Sequence, residues 1–331
     1  MKPRFLLALL ILTACAPAPA TMPATVSPSS TAPAQAPVSV SSPTRAAGWT
    51  ALIGQHGGIS TATFPAPPST PAPARFTTRV SPADGMTQVF VPAGTFRMGG
   101  LDVFAENDEL PYHDVTLNEF WVDQTEVTNG MYALCVQAGA CLPPRKLSSQ
   151  QRPSYYDNPE FRDYPVVQVT WLDARTYCVW AGRRLLTEAE WERAARGDDL
   201  RNYPWGDELP TALYANFGNL IRDTSRVGSY PAGASLYGVL DMAGNVWEWV
   251  SDFYDSDFYL SAPAENPTGP PETIGRYQRV IRGGSFQDTF VNIRLSNRGY
   301  ELGPNPAAPY GSLDLSGHTS AKIGFRCVSD R

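Results

Sequence analysis

The sequence predicts one irregular, loop-rich α+β domain carried behind a long leader that is not domain material. Three observations point there. Short alternating runs occur early and late, with three capped helical stretches between them. Regular patterning thins out after Arg201, where turn formers and aromatics take over. Four cysteines, Cys135, Cys141, Cys178 and Cys327, form an even set, as in an extracytoplasmic domain stapled by disulfides.

The leader comes first in a chain of 331 residues. Lys2 and Arg4 precede an apolar run from Phe5 to Leu12, followed by Leu12-Thr13-Ala14-Cys15. Residues 1–15 read as a secretory signal, and the apolar run is too short to span a bilayer as a helix. Leu-Thr-Ala-Cys resembles the bacterial lipobox, so Cys15 is the expected lipidated N-terminus. The protein is then expected to cross the inner membrane and sit lipid-anchored at the cell surface or in the periplasm. An ordinary secretory signal that ends near a cysteine is the plainer alternative.

Residues 16–82 are dominated by Ala, Pro, Ser and Thr and cannot bury enough apolar surface to offset chain entropy. They read as a disordered, Pro-rich tether reaching on the order of 100 Å. Residues 83–331, roughly 250, can bury one sizeable core. The net charge of -6 argues against nucleic acid as a partner. No run after Leu12 is apolar enough to cross a membrane.

Within the domain, Met86 to Met98 alternates around Val89, Val91 and Phe96 with a Pro92-Ala93-Gly94 turn, predicting a hairpin. Val115 to Val122 alternates as a strand. Thr128 or Asn129 caps a helix through Gln137, and Tyr164 to Val169 reads as a strand. Thr170 caps a helix from Trp171 to Ala181, which Gly182 ends. Thr187-Glu188-Ala189-Glu190 is a capping box opening a helix to Arg196. Val280 to Ser285 is a late strand and Gly324 to Val328 the closing one. Cys135 and Cys141 flank a Gly-bearing loop, which favours their pairing and leaves Cys178 with Cys327. That second link closes most of the core and would stabilise it by about 4–5 kcal/mol in the chain-entropy model. Buried thiols are the alternative.

The motifs Phe96-x-Met-Gly, Glu126-Val-Thr-Asn, Pro165-Val-x-x-Val-x-Trp, Trp180-Ala-Gly-Arg-Arg-Leu, Thr187-Glu-Ala-Glu-Trp-Glu, Pro204-Trp-Gly, Gly244-Asn-Val-Trp-Glu-Trp, Arg282-Gly-Gly-Ser-Phe and Gly324-Phe-Arg-Cys run in this order. Together they resemble the sulfatase-modifying-factor family, whose best-known members are formylglycine-generating enzymes. The resemblance covers about Asp84 to Asp330. It implies that family's irregular α+β fold, a relative of C-type lectin folds, and it supports the Cys178–Cys327 bridge.

The resemblance also implies calcium, held by the side chains of Asp241 and Glu248 and the carbonyls of Gly244 and Val246. Carboxylates and carbonyls across a Gly-bearing turn suit a hard cation. A second calcium set would be Asn216, the Phe217 carbonyl and Asp223, with Ser225 in the last position. A solvated turn is the alternative for the first set and a capped loop for the second.

Family oxidases hold copper(I) between two thiolates, three and eight residues after the Ser of Gly-Gly-Ser. Here those positions are Asp288 and Ile293, and neither side chain suits a soft ion. Ser285, Trp247 and Arg282 remain as candidates to line a groove for a protein or peptide ligand. Asp288 either pairs with Arg294 and Arg298 at the surface or lines that groove. His56, His113 and His318 are too dispersed for a three-His iron site, and no nucleophile elbow or Walker loop occurs. The expectation is a surface-tethered binding or scaffold domain with structural calcium and without copper oxidase activity. The alternatives are a formylglycine-generating oxidoreductase acting on a sulfatase cysteine, and an enzyme of different chemistry in the same groove.

Overall fold

The computed structural model describes residues 76–330 apart from 101, 274, 276 and 307–315. The signal segment, Cys15 and nearly all of the tether lie outside the described residues. In chain order the strands begin with β1 (Thr78–Val80), β2 (Thr87–Val91), β3 (Gly94–Met98), β4 (His113–Leu117) and β5 (Phe120–Asp123). Helices α1 (Asn129–Gln137) and α2 (Trp171–Trp180) follow, then β6 (Arg184–Leu185) and α3 (Glu188–Arg196). Last come β7 (Trp247–Phe253), β8 (Gln278–Arg282), β9 (Arg298–Leu302), β10 (Ile323–Phe325) and β11 (Cys327–Ser329). Three sheets result, in the orders β1-β2-β5-β11-β6, β10-β7-β8-β9 and β3-β4. Among these strand pairs the β10–β7 pairing is parallel and the rest are antiparallel.

The helices begin where their caps predict. Thr128, Thr170 and Thr187 each accept the backbone N–H three residues on, and Asp173 and Glu190 complete two capping boxes. Both expected disulfides form, Cys135–Cys141 and Cys178–Cys327. The second ties α2 to β11, beside the buried rings of Tyr132, Tyr177 and Phe325.

Four readings of the strands need correction. The Met86–Met98 stretch is not a hairpin, because β2 pairs with β1 and β5 while β3 pairs with β4. Val115–Val122 likewise divides into β4 and β5, in different sheets. Tyr164–Val169 is buried extended chain with one bridge, Pro165 to Thr128. Gln168 there takes a positive φ of 62°, which breaks the strand twist before α2. The closing segment splits at Arg326, so β10 joins one sheet and β11 another. The domain also starts before residue 83. β1 is an edge strand, fixed by Arg79 stacking on Trp121 at 4.4 Å and bonding Gln88.

Every residue of α3 is buried, including five charged ones. Such a helix is stable only if each charge meets a partner. Arg282 on β8 bridges Glu188 at 3.3 Å and Glu192 at 2.5 Å and caps the carbonyls of Leu295 and Ser296. Arg298 forks onto Glu188, and Arg196 pairs with Glu192. This lattice locks α3 against the β7–β8 sheet and so fixes the loop that follows β8.

Candidate functional site

That loop is Gly283-Gly284-Ser285-Phe286. Gly284 has φ 71°, and a Cβ there would come within 2.7 Å of the Ile293 side chain. The glycines therefore let the chain turn directly against Ile293. Ser285 is fully buried, and Asp288 folds back on it. One oxygen of Asp288, Oδ2, accepts from the Ser285 N–H at 2.9 Å, the Ser285 hydroxyl at 2.5 Å and the Trp247 Nε1–H at 2.9 Å. The ion pair considered for Asp288 does not form. Arg294 pairs instead with Glu109 and Asp102, and Arg298 with Glu188.

Ile293 is wholly buried in a small core with Tyr203, Ala215 and Ala243, flanked by Trp205 and Phe217. Arg282 is also wholly buried, within the α3 lattice. Of the groove candidates Ser285 and Arg282 are buried, while Trp247 and Asp288 keep partial exposure. A three-acceptor turn at Asp288 and an apolar plug at Ile293 occupy the two positions where thiolates would be needed. A carboxylate whose accepting oxygen is already engaged and an aliphatic side chain do not fit copper(I).

The first expected calcium set lies in a buried polar cluster. Glu248 accepts a guanidinium fork from Arg326, at 2.7 Å to each oxygen, and the Trp191 Nε1–H at 2.9 Å. Asp241 accepts the Gly228 N–H at 2.6 Å. Gly244 is required by close approach, since a Cβ there would strike the Asn216 carbonyl. A third carboxyl, Glu126, was not foreseen in this role. Its Oε1 accepts from Asn245 Nδ2 at 2.9 Å, and its Oε2 is buried and met by no N–H or hydroxyl donor among the described residues.

Burial, and then the charges of Asp241 and Glu248, push the Glu126 carboxyl well above its ordinary range. Burial likewise raises Asp241, against the opposing pull of the Gly228 N–H, Arg326 and a hydrogen bond from the Glu126 carboxyl, which the two acids share when Glu126 is protonated. Three carboxyls thus share one guanidinium. The deficit can be met by protons or by a divalent cation, and the open Glu126 oxygen fits either. Among the described residues no three acidic, His or Cys side chains converge as a ready ion cage. The expected set, however, takes half its oxygens from the backbone.

The second calcium set is differently occupied. Asp223 turns its carboxylate to Ser149, Gln151 and Arg152, and the Phe217 carbonyl accepts from Leu220. Asn216 donates to the Asp223 carbonyl at 2.9 Å, leaving its buried Oδ1 open. Ser225 bonds Asn245 through both its N–H and its hydroxyl. These are the bonds of a capped loop. His113 and His318 bond locally, to the Pro111 carbonyl and Glu301, and His56 lies outside the described residues.

Fold and site together define an irregular α+β domain, closed by a long-range disulfide and built on buried Arg–Glu pairs. Residues 75–331 match the model of the sulfatase-modifying factor enzyme 1-like domain, and the chain belongs to that family. It is 33% identical over 325 residues to a formylglycine-generating enzyme of Streptomyces coelicolor, covering 80% of this chain and 95% of that one. It is 37% identical over 255 residues to the serine/threonine-protein kinase Pkn1 of Chlamydia trachomatis. That match takes 73% of this chain but spans only 38% of the kinase. Among solved structures, PvdO from Pseudomonas aeruginosa superposes with a TM-score of 0.63 at 28% identity, over 78% of this chain and all of that one. Relatives with different named activities therefore share this scaffold, and family membership alone does not fix the chemistry.

Proposed function

We propose that this is a non-oxidase member of its family, a binding or scaffold domain held at the cell surface by a lipid on Cys15. The observation that carries the reading is the pair of side chains at the oxidase positions. Asp288 is committed to Trp247 and Ser285, and Ile293 is core. The four remaining cysteines stand in two disulfides, so no thiolate pair is left to take their place. The formylglycine-generating alternative rests on the relatives. Incubating the purified chain with copper(I), oxygen and a Cys-x-Pro-x-Arg peptide separates the two. No aldehyde is expected, and robust aldehyde formation overturns the proposal.

Calcium belongs to the same reading. Asp241, Glu248 and the carbonyls of Gly244 and Val246 would hold it, with Glu126 adding a buried oxygen that, among the described residues, no N–H or hydroxyl donor meets. Its contribution would be structural, cross-linking a loop-rich region. The second set enters only through the open Asn216 oxygen. The lipobox-like Leu-Thr-Ala-Cys and the Pro-rich leader support the anchored location, and labelling with a radioactive fatty acid that is lost in Cys15→Ser tests it.

A further inference from the structure

A cavity of about 630 Å³ opens between α2, the start of β8 and the β4–β5 turn. Among its polar lining residues is Arg279, at the opposite end of β8 from the Ser285 loop. The strand between them, Arg279 to Arg282, spans about 10 Å before the chain turns at Gly283. The Arg279 guanidinium is sandwiched between Trp171, at 3.8 Å, and Phe253, at 3.4 Å. Its Nη1 donates to the Ser251 carbonyl at 2.6 Å, while its Nε is buried with no acceptor among the described residues. With both faces covered by rings, its remaining N–H groups are presented edge-on.

Arg175 stands one helical turn after Trp171, on the same face of α2, and also lines the cavity. Neither Arg175 nor Arg279 forms an ion pair with a described residue. The third guanidinium on the wall, Arg184, is already held by Glu190 and Asp330, and Glu119 is itself engaged. Glu272 and Asp252 act on Arg279 only through space. Burial and the repulsion of Arg175 together bring Arg279 down to about 10, against those two carboxyls. Glu119, Glu190 and Asp330 also line the cavity, but the last two are taken up by Arg184, so Arg175 and Arg279 stand unbridged in a concave site walled by Leu117, Val179, Leu185 and Pro267.

We propose that this cavity binds a small carboxylate carried on an apolar body, the carboxylate forked by Arg279 and Arg175 and the body lying against Trp171 and the aliphatic wall. Arg rather than Lys suits that task, because its planar fork matches a carboxylate at two points. The volume is that of a small-molecule site. The site is separate from the Ser285 loop, so the proposal stands whether or not the domain oxidises cysteine.

The test is calorimetric titration of the full chain with 3-phenylpropionate, 3-phenylpropanol, 3-phenylpropylammonium and sodium sulfate. Saturable binding of the carboxylate is expected, with the alcohol, the ammonium and sulfate each at least about tenfold weaker. Arg279→Gln should weaken the carboxylate about 100-fold and Arg175→Gln about tenfold. Because Arg279 also packs between two rings, the exposed Arg175 carries the decision if Arg279→Gln unfolds. Equal affinity for the alcohol, equal affinity for sulfate, an unchanged Kd in Arg175→Gln, or no binding by the carboxylate each overturns the proposal.

Discussion

Two buried charge clusters lie side by side in this molecule, and they are built on opposite terms. Around α3, Glu188, Glu192 and Glu109 are each met by one or more guanidinium groups from Arg196, Arg282, Arg294 or Arg298. Around Glu126, three carboxyls share Arg326 alone. Trp191 touches both, stacking near Arg282 and donating to Glu248. Buried charge costs free energy unless it is paired, and in the first cluster each of these three carboxylates is paired. The second is short of positive charge. The paired lattice is a scaffold; in the deficient one burial and mutual repulsion raise Glu126 and Asp241.

The largest effect should come from opening the paired cluster. Arg282→Met leaves Glu188 and Glu192 short of a partner and two carbonyls uncapped. Breaking a buried pair from one side costs about 3–5 kcal/mol. Urea denaturation should show a loss in that range, or no folded protein at all. A loss below about 1 kcal/mol would mean that the lattice is ornamental and Arg298 and Arg196 suffice.

The clusters should also answer pH with opposite sign. Despite burial, Arg298 and Arg282 hold Glu188 below its usual 4.5. Its contribution is therefore full above that value and is lost on acidification through the lowered pKa. Glu126 and Asp241 are raised from 4.5 and 3.8. Their contribution is present below those values and is lost as pH rises through the raised pKa, where burial resists ionisation. A bound divalent cation would remove that alkaline penalty.

In chelator, then, the thermal midpoint should fall relative to the calcium-loaded chain, with the gap widening as pH rises above 4.5. At a hundredfold excess over Kd the cation adds about 2.7 kcal/mol. Glu126→Gln imitates the protonated carboxyl and should close most of the gap. A midpoint indifferent to chelator throughout that range would assign the balance to protons and remove calcium from this cluster.

How much of this was readable beforehand follows from the range of the interactions. The helix starts at Thr128, Thr170 and Thr187 are set by residues three positions away, and they stand where the sequence put them. Cys135–Cys141 is local in the same sense. Partner choice among strands is not local. β2 and β3 alternate as a hairpin would, yet their neighbours β5 and β4 draw them into separate sheets.

The site divides the same way. Asp288 and Ile293 were found by their offset from Ser285, but their buried bonds and packing were not visible. Glu126 stood within a recognised motif, and nothing nearby in sequence announced Asp241 and Glu248 as its neighbours. Arg279 carried no local signal at all, since the rings that frame it come from α2 and the end of β7.

The smallest effect belongs to Asp288, which stands between the two regimes. Its carboxylate is served only by neutral donors, Trp247 Nε1 and the N–H and hydroxyl of Ser285, all on one oxygen. Asp288→Asn keeps an oxygen at that point and gives up only charge assistance, so about 1 kcal/mol or less should be lost. Asp288→Ala removes the acceptor and strands the Trp247 indole and the buried Ser285 groups, for about 1–3 kcal/mol. The ordering, read by urea denaturation with Trp fluorescence, is the informative part. If Asn and Ala cost the same, the bonds onto Oδ2 carry no weight and the turn is held by Ile293 packing alone. If Asn costs as much as Arg282→Met, the charge of Asp288 is needed, and a cation must approach it that the described residues do not supply.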